Sequence, residues 1–322
     1  MKPFRDSCAT GLAPQDVQDH LHRHGYVLIR NLIPRKDLDH LLGEITQILA
    51  ASGWLLPGYR ALERAANPAA ACGETDTSFK PVYECVFSLE SFHALAHHAV
   101  LRSVMQMLTG PGLLIHPKPV ARLIFPNCER FIIQPHQDHL AIGGDTDCFT
   151  AWMPLHDCPA ELGPLRILEG SHHGGFRSAD PATGTVAIDR DTEDDWAGGA
   201  IYAGDVLIFH GLTVHCASPN TSTQMRISMD CRFQDVARPI HPASLVFPGS
   251  NDRSWESTYV RWRSNDLQYF WKSMPLTFCP TLDEVSVLAE TDSSPRMRTR
   301  YARILTQMAS QMAVEDHAEL PR

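Results

Sequence analysis

The sequence predicts a mainly β core with flanking helices, and three observations carry that prediction. Between about residues 113 and 233, short β-rich runs alternate with Gly, Pro, Asn and Asp punctuation, as in a sandwich, barrel or jelly roll. On either side of this stretch, apolar residues recur at helical spacing. No strand–helix–strand alternation runs through the β-rich part, which argues against a doubly wound parallel sheet. The 322 residues are 43% hydrophobic and 20% charged, enough to bury a large core without disulfide or metal staples.

Taken in chain order, Pro14 suits a first helical turn and Gly25, just after His24, suits a helix stop. Tyr26, Val27, Leu28 and Ile29 form a short apolar run between Gly25 and Pro34, which predicts a buried strand. Leu38, Leu41, Leu42, Ile45, Ile48 and Leu49 then mark one face of an amphipathic helix. Another helix is expected over 91–108, stopped by Gly110-Pro111-Gly112. Strands are expected at 113–115, 122–125, 131–133, 149–155, 165–168, 206–209 and 225–233. The segment 177–200 is rich in Gly, Asp and Pro and carries Asp189, Asp191, Glu193, Asp194 and Asp195; it reads as a loop, either a solvated surface loop or a lid. Trp255, Tyr259, Trp262 and Tyr269 fall on one helical face, a stripe that predicts core packing before a ligand wall. A last helix is expected over 294–312, and its cluster Arg296, Arg298, Arg300 and Arg303 reads as a solvated face.

Lys and Arg number 28 against 37 Asp and Glu, a formal charge of -9, so nucleic acid and anionic membrane are poor partners. No apolar run approaches the ~18 residues of a membrane helix, and the charged start of the chain has no apolar stretch behind it to make a secretory signal. The nine cysteines are scattered without a C-x-x-C pair, as expected of reduced thiols in a cytoplasmic protein.

The chemistry is concentrated at Pro135-His136-Gln137-Asp138. In a strand, residues two apart share a face, so His136 and Asp138 would present an imidazole and a carboxylate side by side with Gln137 turned away. The best candidate for a third ligand is His215, just past the apolar strand that follows Gly204-Asp205. Two histidines and one carboxylate on one face leave metal positions open, as in the facial triad of non-haem Fe(II) oxygenases. Eleven residues after His215 comes Arg226, opening a run of period two: Met225, Ile227, Met229 and Cys231 face one way, Arg226, Ser228, Asp230 and Arg232 the other. A guanidinium on such a polar face can hold a carboxylate through two parallel hydrogen bonds; the alternative is a polar face turned to water. H-x-D alone is a weak signal, whereas H-x-D, a distant histidine after a Gly-Asp-led strand, and Arg in the next strand form a much rarer order. His139, His156, His172, His173 and His210 are expected to be structural or solvent-facing, and Asp205 to shape the turn before its strand.

With these residues in view, the chain resembles the phytanoyl-CoA dioxygenase family of Fe(II)/2-oxoglutarate oxygenases. The likeness rests on His24-Gly25-Tyr26-Val27-Leu28, His136-Gln137-Asp138, Ala151-Trp152-Met153-Pro154-Leu155, Gly170-Ser171-His172, Gly204-Asp205 with His215, Pro219-Asn220 and Arg226, spanning about residues 15–235. The resemblance implies a double-stranded β-helix (jelly-roll, cupin-like) core and iron held by His136, Asp138 and His215. It further implies that Arg226 anchors the distal carboxylate of 2-oxoglutarate, and that Gln134 and Trp152 line the co-substrate site. Ala217 departs from the pattern, since relatives often carry Ser or Thr there. Asp138 argues for hydroxylation over halogenation, which needs a small residue at that position.

The resulting expectation is a single catalytic domain over 1–322: a helical N-terminal support (1–110), a β-helix core (111–236) and a mostly helical C-terminal extension (237–322). It would use Fe(II), 2-oxoglutarate and O2 to oxidise a small organic molecule, a secondary-metabolite intermediate first, releasing succinate and CO2. Two alternatives stand beside it. An acyl-CoA or carrier-bound acyl hydroxylase would want a basic patch near the motif, which the sequence does not display. A cupin-like metal protein without 2-oxoglutarate would have no need of Arg226.

Overall fold

The structure is a computed structural model, and it describes residues 1–8, 13–128, 132–180, 183–188, 195–248 and 253–316. Two short strands, β1 (Lys2–Pro3) and β2 (Asp6–Cys8), open the chain. Helix α1 (Pro14–His24) follows, with Pro14 in its first turn and Gly25 closing it at φ 80, a left-handed conformation that costs glycine least. Strand β3 (Tyr26–Arg30) and helix α2 (Arg35–Ala51) come next, as their apolar patterns predict. Helices α3 (Phe79–Phe87), α4 (Glu90–Ala96) and α5 (Ala99–Thr109) lead into strands β4 (Leu113–Ile115) and β5 (Val120–Ile124). The short helix α6 (His139–Ile142) precedes β6 (Cys148–Pro154), β7 (Leu165–Leu168), β8 (Trp196–Gly198), β9 (Val206–His210), β10 (His215–Ala217) and the long β11 (Arg226–Asp235). Helices α7 (Trp255–Tyr259), α8 (Leu282–Thr291) and α9 (Pro295–Asp316) end the described chain.

The strands form two sheets. One runs β1-β8-β7-β10; the other runs β2-β3-β9-β6-β11-β4, with β5 also paired to β11. The period-two alternation explains how the larger sheet is used. Val27 and Ile29 of β3, Val206 and Ile208 of β9, and Ile227, Met229, Cys231 and Phe233 of β11 join the apolar cluster shared with the helices. Tyr26, Leu28, Leu207 and Phe209 point the other way, onto Leu165, Ile167, Ala197 and Ala217 of the smaller sheet. Two sheets pressed together with helices over one outer face make the double-stranded β-helix expected. The core is not confined to 111–236, because β3 of the N-terminal segment is hydrogen-bonded to β9 within the larger sheet.

Several expectations need correction. The helix expected over 91–108 is two helices, broken at His97 and His98. Both residues serve tertiary contacts: the His97 ring meets Phe270 at 4.6 Å, and His98 Nε2 reaches Asp37 at 3.2 Å. The helical face from Trp255 to Tyr269 is real for only five residues. The chain then leaves the helix to dock on α3 and α4, with Trp262 Nε1 donating to Ser88 O and the Arg263 and Ser264 amides to Glu90. The four aromatic residues still cluster, as core packing predicts. Ile132 and Ile133 are not in a strand, while Phe131 lies outside the described residues. The segment 177–200 contributes β8, a strand not foreseen; Asp189, Asp191, Glu193 and Asp194 lie outside the described residues. Among the described residues no helix is long and apolar enough to cross a membrane.

Candidate metal centre and co-substrate pocket

His136 and His215 are joined through their backbones. The His136 amide donates to His215 O and the His215 amide to His136 O, each at 3.0 Å, an antiparallel pair that sets both side chains on one side. His136 and Asp138 do not share a strand, contrary to the spacing argument. Asp138 instead precedes α6 with helical backbone angles, φ -60 and ψ -32. Past His136 the chain turns into α6, which brings the carboxylate round to the imidazoles. Asp138 Oδ1 then lies 3.7 Å from His136 Nε2 and 3.8 Å from His215 Nε2. One ligand-type atom from each of the three lies within 4.8 Å of the others.

The surroundings fix these groups. His136 Nδ1 is 2.8 Å from Gln134 O and His215 Nδ1 is 3.0 Å from Thr213 O, so each ring donates from Nδ1 and presents Nε2 as an acceptor. Asp138 Oδ2 accepts from Thr150 Oγ1 at 2.6 Å and from Arg232 Nη2 at 3.1 Å. Thr150 and Arg232 are cross-strand partners in β6 and β11, so one rung of the sheet grips the carboxylate. Burial opposes ionisation of Asp138, but Arg232 and the two histidines outweigh it and hold the group well below the usual carboxylate range. Burial, chiefly, brings His215 down to about 4, leaving its ring neutral at physiological pH.

The polar face of β11 is buried, so the water-facing alternative fails: Arg226, Ser228, Asp230 and Arg232 are each at most 7% exposed. Arg226 Nη1 donates to Gly163 O, while Nε and Nη2 have no hydrogen-bond partner among the described residues. Those two N–H groups lie along one edge of the guanidinium, the fork that takes a carboxylate side-on. Trp152 Nε1 is also buried and unpartnered. Arg226, Trp152, His136 and His215 line one narrow pocket, and Ala217 lies with Arg226 on an adjoining one. Buried donors without partners are rare in proteins, and here they converge beside the triad. They fit an acidic co-substrate in shape and charge.

Gln134 stands apart from this pocket. It is exposed and lines a separate cleft that also reaches His136. Because the segment is not a regular strand, being two residues from His136 does not put Gln134 on its face. Gln137 is turned away as expected, its amide donating to Gly175 O and Leu212 O. The five neighbouring histidines stay out of the triad; His156, for one, accepts from the Ile227 amide and meets Asp157 O. Asp205 shapes its turn, accepting from the amides of Asn31 and Tyr202 and from Arg30. The outer cleft, about 540 Å³, runs from His136 and Asp138 past Phe79, Tyr83 and Ile142 to Lys118 and Arg300. Sequence reasoning assigns no role at the site to Thr150, Arg232, Lys118 or Arg300, although it places Arg232 on the polar face of β11. The first two share a face with Trp152 and Arg226 and were findable by period two; the last two carry no such signal. Arg300 is exposed, as expected of a solvated face, and also borders the cleft.

The buried polar face of a strand in the larger sheet, a His-Asp-His cluster and an unpaired arginine fork define a non-haem iron oxygenase of the 2-oxoglutarate-dependent class. The chain belongs to the phytanoyl-CoA dioxygenase (PhyH) family, whose model matches residues 21–228. It is 28% identical over 251 residues to a 1-deoxypentalenic acid 11-beta-hydroxylase from Streptomyces exfoliatus, covering 71% of this chain and 84% of that one. Among solved structures, its fold is similar to the epimerase SnoN in complex with Fe3+, alpha ketoglutarate and nogalamycin RO (TM-score 0.54, 22% identity, 75% of this chain and 92% of that one). It is also similar to the non-haem monooxygenase ThoJ (TM-score 0.53, 20% identity, 70% of this chain and 79% of that one).

Proposed function

We propose that His136, Asp138 and His215 hold the Fe(II), that Arg226 binds the distal carboxylate of 2-oxoglutarate through Nε and Nη2, and that Trp152 adds an indole donor beside it. The unpartnered fork of Arg226 next to the triad is the observation that carries this reading. Bound iron with 2-oxoglutarate and O2 supplies the oxidising step, yielding succinate and CO2. The protein's part is positional. Arg232 and Thr150 aim Asp138, the backbone carbonyls at Gln134 and Thr213 fix the imidazole tautomers, and Gly163 O holds Arg226 with its free edge towards the metal. Ala217 leaves the co-substrate without the hydroxyl that relatives often provide at that position.

The substrate is a small organic molecule, which we take to be a natural-product intermediate hydroxylated in the outer cleft. The named activity of the Streptomyces relative and the apolar walls of the cleft support this. We read 1–322 as one catalytic unit, because Ile304 and Met308 of α9 join the same apolar cluster as Val17 of α1 and the β11 side chains. We further place the enzyme in the cytoplasm, acting without nucleic acid or membrane, on its net charge of -9 and scattered thiols. The test is His136→Ala, assayed for bound iron and for succinate formed from 2-oxoglutarate across a metabolite panel. Both should disappear; stoichiometric iron with undiminished turnover would remove the triad from consideration.

A further inference from the structure

We propose that Lys118 and Arg300 form an anion subsite across the cleft from the metal, and that the substrate is a carboxylic acid whose free carboxylate is held there. The inference deepens the proposed function and rests on it for the direction in which the substrate is presented.

The argument is one of charge balance. Besides the metal-side residues, Arg122, Tyr83 and His116, five ionisable groups line the walls: Glu74, Lys80, Glu84, Lys118 and Arg300, with Lys80 3.8 Å from Glu84. The acids are engaged, Glu74 with Arg122 at 2.8 Å and Glu84 with Arg253 at 3.5 Å. Lys118 and Arg300 are not. Lys118 Nζ donates to Ala243 O and has no acidic partner among the described residues. Arg300 has no hydrogen bond or ion pair among them either. Arg303 lies near and spends Nη2 on Phe247 O. A half-buried lysine beside arginines is an unfavourable arrangement unless something negative visits it. The surroundings register that cost: burial, then Arg300, Arg303 and Arg232, pull Lys118 from its ordinary value to about 7.

Between this cationic end and the metal, Phe79, Tyr83, Val120 and Ile142 offer an apolar lining. A molecule with an acid at one end and hydrocarbon behind it matches that sequence of surfaces. Arg300 stands on α9, outside the segment matched by the family model, so the subsite belongs to this chain's own C-terminal extension. The basic patch that was not visible in the sequence is assembled here from residues 182 positions apart.

The test uses the enzyme loaded with Fe(II) and 2-oxoglutarate without oxygen, and dodecanoate, methyl dodecanoate and dodecanoyl-CoA as probes. Occupancy is read from the perturbation of the iron–2-oxoglutarate charge-transfer band. Dodecanoate should bind about tenfold or more tighter than its methyl ester, and Lys118→Met with Arg300→Met should bring the two within about twofold. Equal affinities in the unaltered enzyme, an acid preference that survives both substitutions, or no binding of dodecanoate at millimolar concentration would each overturn the proposal. If only dodecanoyl-CoA binds with a preference that depends on Lys118 and Arg300, the anion is a phosphate and the carboxylate assignment is wrong. Arg300→Met alone, on an exposed helix position, keeps the test open should the Lys118 variant fail to fold. Calorimetry with metal-free protein reads the same acid preference without iron. Preference retained there with no charge-transfer band would therefore sink the iron reading and leave the subsite standing.

Discussion

Three of the protein's six indoles, Trp152, Trp255 and Trp262, divide two regions of the molecule. In the aromatic layer where α7 meets α3 and α4, Trp255 Nε1 donates to Leu245 O at 2.7 Å and Trp262 Nε1 to Ser88 O at 3.0 Å. The His93 ring in the same layer contacts Phe87 O at 2.7 Å. In the pocket between the sheets, Trp152 Nε1 has no partner, and neither do Arg226 Nε and Nη2 or Ser228 Oγ. Trp255, His93 and Trp152 are all buried, yet the rings of the aromatic layer have hydrogen-bond partners and, among the described residues, the donors of the pocket do not. Leaving a buried donor unmade costs roughly 1–3 kcal/mol, more for a charged group, so the second region is intelligible as a place that receives a ligand. Burial alone does not separate a core from a site; the polar atoms left over do.

The comparison predicts opposite phenotypes. Trp255→Ala, in the completed layer, should cost about 3–5 kcal/mol of stability through lost packing against Phe87, Phe247 and Trp271. Urea denaturation measures this, and any surviving folded protein should keep its KM for 2-oxoglutarate. Arg226→Ala should do the reverse. Truncating one partner of a buried charge pair costs about 2–5 kcal/mol of binding, so the apparent KM for 2-oxoglutarate should rise by orders of magnitude while iron still binds. Urea denaturation without ligand should show little loss, because the arginine has only Gly163 O to forfeit. An unchanged KM would mean that another cation anchors the acid and would dissolve the distinction.

The smallest expected effect is a pH slope. Burial holds His93 at about 4, against an ordinary value of 6.5. Between those values the unfolded chain takes up a proton that the folded ring refuses, so stability is present above about pH 6.5 and is lost as pH falls towards 4. One such ring contributes up to about 3 kcal/mol over that window. His93→Gln should flatten the acid limb of the unfolding free energy by about one proton; an unaltered slope would mean that the completed layer admits water.

Legibility followed regularity. Where side chains sit on a long strand of period two, their shared face can be read: Arg226, Ser228, Asp230 and Arg232 fall on one side of β11, and burial decides that this side is not turned to water. Where backbone geometry is irregular, period two misleads: His136 and Asp138 lie together without sharing a strand, and Gln134 is exposed and does not share the pocket of Arg226 and Trp152. Strands of three residues such as β8 and β10 are too short to carry a pattern. Helix α3 went unread although Phe79, Val82, Val86 and Phe87 show a buried face, because Pro81 in its first turn reads as an interruption. The cleft wall was the least legible part. Lys118 and Arg300 meet only through the docking of a C-terminal helix, and no local spacing encodes that.

The reciprocal backbone pair between His136 and His215 carries a consequence for metal exchange. Two donors whose separation is set by peptide hydrogen bonds behave as a single chelating unit. Capturing an ion then freezes little further motion of the chain, so the entropic penalty of bringing the two imidazoles together falls on folding and not on metal uptake. Selectivity among divalent ions, by the same reasoning, is exerted less by the histidine bite than by Asp138, whose orientation depends on the separate grip of Thr150 and Arg232. Loosening that grip should therefore alter which metal is retained sooner than whether one is retained.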